Sequence, residues 1–108
     1  MTAYKTMVVH LVGISALLLS TPTQALDGAA LYVDRACIAC HGAQGRAPVM
    51  TEYPKIAGQN AAYMVAQMKD IKSGSRDNSH AVAMKITMHM ISDEEMAAVA
   101  EWLETLPY

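Results

Sequence analysis

The sequence has no phenylalanine and a single tryptophan, Trp102, so large aromatic core filler is scarce. Cysteine is limited to two residues, which leaves room for one disulfide and no disulfide framework. No apolar run reaches the roughly 20 residues that a bilayer-crossing helix needs. The longest, Met7 to Leu19, covers about 13 residues and offers no span of its own. Basic charge is also short. From Leu26 onward seven basic residues face ten acidic ones, a net charge of −3 that argues against nucleic acid or anionic lipid as partner. There is no internal repeat, no low-complexity tract and no persuasive strand pattern.

What remains is short, methionine-rich and helical in pattern. At 108 residues the chain has room for one domain. Its first 25 residues carry Lys5, then the apolar stretch, then Ser20-Thr-Pro-Thr-Gln-Ala25 with small residues at Thr23 and Ala25. That is the layout of a secretory signal, with an uncleaved anchor as the competing reading. Cleavage after Ala25 leaves residues 26–108, a size at which domains often lean on a metal, a disulfide or a cofactor. Nine methionines and many alanines pack well around a large flat ligand, so a bound group is expected at the centre of the core.

Three helices are expected. Asp27 caps a first, from about Gly28 to Ala39. A second starts at Asn60 and stops before Gly74, with Tyr63, Met64, Met68 and Ile71 at helical spacing. The third opens on a capping box, Ser92-Asp-Glu-Glu95. It continues with Met96, Val99, Ala100, Leu103 and Leu106 in one apolar stripe until Pro107. Between the first two, Gly42, Gly45, Pro48, Pro54 and Gly58 carry too much punctuation for a helix. A polar loop, Ser73 to Asn78, and a Met-rich stretch, Ala81 to Ile91, separate the last two.

The chemistry lies in Cys37-Ile-Ala-Cys40-His41. Two cysteines three apart on a helical turn face the same way and can bond both vinyl groups of one porphyrin. The next residue then presents its imidazole to the iron from the same side. A thioredoxin-like pair belongs near a βαβ unit, and here the pair sits in an apparently all-helical chain. A zinc site needs about four ligands, for which Cys37, Cys40, His41 and either His80 or His89 are the available donors. A structural disulfide is the third rival. For the sixth position of an iron the donors are Met50, Met84, Met88, Met90, His80 and His89, and spacing does not choose among them.

With these residues the chain resembles the class I cytochromes c, and within them the c4-type single domains of bacteria. The resemblance rests on Cys37-Ile-Ala-Cys-His-Gly42, Tyr53-Pro-Lys-Ile-Ala-Gly-Gln59, and the Tyr63 to Gly74 helix ending in Lys69-Asp-Ile-Lys-Ser-Gly74. It is completed by Met84, placed eight residues before Ser92-Asp-Glu-Glu95. It implies a small all-α fold, three main helices wrapped around one covalently bound haem c per chain.

In that family the ligand methionine lies eight residues before the serine that opens the last helix, which selects Met84, with Met88 and then Met90 behind it. His41 would be the proximal ligand. A proline carbonyl usually holds that histidine by its second ring nitrogen, with Pro48 matched ahead of Pro54. The resemblance also implies that Tyr53, Ile56 and Met68 line the haem, and that Gly28 and Tyr32 cross against Trp102 and Leu103; Arg76, just past the second helix, is placed to reach a propionate. The function it implies is electron transfer in the periplasm by a carrier that is not an enzyme, docking donor and acceptor proteins at a haem edge beside Cys37 and the loop around Met88. The rival is a ligand-binding or peroxidase-like haem protein, or haem-containing subunit, with an open sixth position. The c4 proteins have two such domains and this chain has room for one. It would act alone, as a homodimer, or as a subunit of a larger electron-transfer assembly.

Overall fold

The computed structural model describes residues 2–3, 13 and 16–108. The apolar centre of the leader reading, Met7 to Leu19, lies mostly outside the described residues. Among the described residues there is no strand, and no helix is long and apolar enough to cross a membrane. Five α-helices follow in order: α1 Gly28–Asp34, α2 Cys37–His41, α3 Ala61–Ser73, α4 Ala81–His89 and α5 Asp93–Glu104. A 3₁₀ turn, Ala43–Gly45, follows α2.

The caps read from the sequence form as side-chain hydrogen bonds. Asp27 accepts from Ala30 N, Asn60 from Tyr63 N, and Ser92 and Glu95 close the capping box at the start of α5. Two expectations need correction. The first helix does not run to Ala39. It stops at Asp34, Ala36 turns left-handed at φ 60°, and a new helix starts at Cys37. Ala36 has no local reason to leave the helix. At the same junction the Arg35 guanidinium reaches Glu95 on α5 at 2.6 Å, and α1 is docked on α5. Second, the Met-rich stretch is a helix, α4. No side chain caps it and apolar residues lie on all its faces, so neither a start signal nor a period marks it in the sequence.

α5 is the centre of the molecule, with α1 against one side and α3 against another. The α1–α5 crossing is close because Gly28 has no Cβ: one built there would lie 2.1 Å from Ala98 O and 2.7 Å from Trp102 Cβ. One turn on, Tyr32 packs its ring on Trp102 with centroids 5.2 Å apart. Tyr32 is buried, and its hydroxyl donates to Gly42 O at 2.7 Å, tying α1 to the residue after His41. Burial pushes its pKa up to about 12. Met64, Met68 and Ile71 of α3 meet Met96, Val99, Ala100 and Leu103 of α5 in one core that also takes Met88 and Ile91. Methionine fills the place that phenylalanine leaves.

Candidate haem site

α2, the loop after it, α3 and α4 enclose a cleft of about 320 Å³, the size range of small-molecule and cofactor sites. Its wall on one side is the Cys37–His41 turn. Met64, Met68 and Ile71 of α3 and Met84 and Met88 of α4 line it elsewhere, and Val99 and Leu103 of α5 reach it from the core. Because α2 is a single helical turn, Cys37, Cys40 and His41 all face this cleft. The two thiols are free, Cys37 half-buried and Cys40 exposed. Burial raises the Cys37 pKa above its ordinary value. Among the described residues no group of three or more His, Cys, Asp or Glu side chains converges on one point, so the zinc reading lacks a ligand set.

His41 is buried, and its Nδ1 lies 2.9 Å from Pro54 O. A carbonyl oxygen only accepts, so Nδ1 donates and Nε2 keeps its lone pair. Burial lowers the His41 pKa, with the Pro54 bond opposing, which keeps the ring neutral. A neutral imidazole with a free Nε2 is the form that binds metal. The carbonyl is that of Pro54, not Pro48. Pro48 lies outside the cleft lining, although the chain beside it stays close to the haem-attachment turn, with Val49 N donating to Cys40 O at 3.1 Å.

Tyr53, Ile56 and Met68 line the cleft, and so does Arg76, whose Nη1 donates to Gln67 Oε1 at 3.0 Å. Of the six donors considered for a sixth position, Met84, Met88 and His80 line the cleft, whereas Met50, Met90 and His89 do not. Met88 lies in a helix and is 1% exposed, so it is core and forms no part of a loop at an exposed edge. His80 and the Tyr53 ring meet edge to face, with centroids 5.5 Å apart, at the rim. Sequence reasoning passed over Gln59, Tyr63 and Gln67, which also line the cleft. Tyr63 and Gln67 are one turn apart on α3, a spacing legible only once the face that α3 presents is known.

An all-helical chain with two cysteines and a histidine on one turn, opening onto an apolar cleft rich in methionine, defines a covalent-haem protein. Comparison with known proteins gives the same answer. The family model for cytochrome c matches residues 25–107. The chain is 39% identical over 104 residues to a thiosulfate dehydrogenase electron acceptor of Stutzerimonas stutzeri, an alignment covering 90% of this chain and 47% of that protein. It is 35% identical over 82 residues to cytochrome c-553 of Nitratidesulfovibrio vulgaris, covering 76% of this chain and 78% of that protein. The crystal structure of reduced recombinant cytochrome c4 from Pseudomonas stutzeri superposes with a TM-score of 0.63 at 25% identity, over 74% of this chain and 46% of that one. The chain therefore spans about half the length of the electron acceptor and of cytochrome c4.

The chain belongs to the cytochrome c family, as a c4-like class I member. Its cofactor is haem c with iron. The residues fit the group: two free thiols three apart, a neutral imidazole with its Nε2 free, and an apolar cleft between them and α3 and α4.

Proposed function

We propose that this protein is an exported, periplasmic one-electron carrier whose iron is held by His41 and Met84. The observation that carries the reading is the shared cleft: α2 brings Cys37, Cys40 and His41 to one wall, and α4 brings Met84 to another. Haem c supplies an iron that cycles between two oxidation states, and a thioether ligand favours the reduced one. Cys37 and Cys40 would hold the porphyrin by two thioether bonds. His41, steered by Pro54 O, would give its Nε2 to the iron. The buried methionines of α3 and α4 exclude water, which lowers the local dielectric and limits rearrangement when charge changes.

Residues 1–25 would direct export and be removed. Partners would be redox proteins that dock briefly over a small interface, as electron-transfer pairs do. The relative named as an electron acceptor for thiosulfate dehydrogenase makes a periplasmic oxidoreductase of that kind a suitable donor. The absence of a substrate of its own follows from this role. The test is Met84→Ala in the matured protein. The absorption band at the red edge of the visible spectrum that marks Fe–S(Met) ligation should vanish, and carbon monoxide should bind the reduced form. Survival of the band in Met84→Ala rejects the assignment.

A further inference from the structure

We propose that Lys72 is a positioning residue for the sixth ligand: its ammonium group fastens the far end of α4 and so sets how often Met84 leaves the iron. The inference rests on the His41/Met84 reading above. It begins from how weakly α4 is held. α4 packs closely against α3 and has no comparable packing against α1, α2 or α5 among the described residues. Its start has no side-chain cap, and Ser79 just before it is held at φ 52°, an uncommon conformation for serine. Its outward residues Val82 and Ile86 are 59% and 72% exposed and anchor nothing.

The other end is different. After Met90 closes α4, Ile91 inserts into the core at 1% exposure, and its carbonyl oxygen accepts from Lys72 Nζ at 2.7 Å. Lys72 stands in the last turn of α3 and is half-buried, so this is a charged donor on a carbonyl partly shielded from water. One other side-chain link joins α3 to the same junction among the described residues, the Lys69–Asp93 pair at 3.2 Å. Both of those side chains are about half exposed, and an ion pair of that kind is screened and holds little. Lys72 is therefore the main polar tie between α3 and the α4–α5 junction. Met84 lies about two helical turns before Ile91. When the tie opens, the segment that carries Met84 is left with its side-chain packing alone.

The experiment follows imidazole binding to the matured ferric protein by stopped flow. At saturating imidazole the rate equals the rate at which the methionine sulfur leaves. Lys72→Gln should raise that rate by about tenfold or more. Lys72→Arg, which keeps the charged donor, and Lys69→Gln, which removes only the exposed pair, should stay within about threefold of wild type. Lys72→Met keeps the aliphatic stem and should behave as Lys72→Gln, which covers the case in which the glutamine variant fails to mature. A merely structural role would lower the urea midpoint while leaving the saturating rate in water near the wild-type value; that outcome overturns the proposal. Failure of the reading beneath it looks different: wild-type protein without the Fe–S(Met) band, binding imidazole at the same rate as Met84→Ala.

Discussion

Replacing Gly28 with alanine tests the α1–α5 crossing on which the placement of Cys37 to His41 depends. The added Cβ would lie 2.1 Å from Ala98 O and 2.7 Å from Trp102 Cβ. Ordinary van der Waals contact starts at 3.4 Å, so the helices must part by more than 1 Å at this point. A backbone oxygen cannot rotate away, and α5 cannot shift because Met96, Val99, Ala100 and Leu103 are locked on its inner face. Overpacking of this sort costs about 1–3 kcal/mol, with the backbone contact setting the upper half of the range. Alanine returns about 0.5–1 kcal/mol by restricting the unfolded chain. The net loss is about 2 kcal/mol, or roughly 10 °C in Tm for a domain of this size. Thermal melts by far-UV circular dichroism measure it, with Ala30→Gly at an exposed position of the same helix as the control. A Tm for Gly28→Ala within about 2 °C of wild type would refute the argument, since the crossing would then have slack that the close approach of Ala98 O denies.

Two further outcomes follow from the same packing. Tyr32→Phe removes the hydroxyl that donates to Gly42 O at 2.7 Å; that buried carbonyl keeps the Gly45 N–H at 3.2 Å, so the cost in urea unfolding is about 0.5–1.5 kcal/mol. In acid, the Arg35 guanidinium holds the Glu95 carboxyl below its ordinary value, helped by the backbone N–H of Ser92. The folded pKa is the lower one. The pair's contribution is therefore complete above the ordinary carboxylate pKa and disappears as pH falls through the folded value. Glu95→Gln should flatten that part of the stability–pH curve, and urea titrations at neutral pH and near about pH 3.5 would detect it.

The elements with chemical punctuation were legible in the sequence: Asp27, Asn60 and Ser92 each start a helix with the bond that their side chains offer. The Cys37-Ile-Ala-Cys40-His41 turn could be read as a haem site because its spacing is itself the geometry. The elements fixed by distant contacts could not be read. Ala36 turns left-handed with no local signal for it, next to Arg35, whose partner Glu95 lies 60 residues away in sequence. α4 was invisible because its cleft-facing and solvent-facing sides are both apolar. The choice between Pro48 and Pro54 turned on the path of a loop. Sequence order favoured the nearer proline, whereas the carbonyl that accepts from His41 Nδ1, at 2.9 Å, is that of Pro54.

The most direct test of the account is the optical spectrum of the purified, exported protein, oxidised and then reduced with dithionite, with and without carbon monoxide. The account predicts a sharp reduced spectrum of c-type haem that carbon monoxide does not move, with the Fe–S(Met) band present in the oxidised form. A shift on adding carbon monoxide would contradict it, because the sixth position would then be open and the chain a ligand-binding haem protein instead of a closed electron carrier.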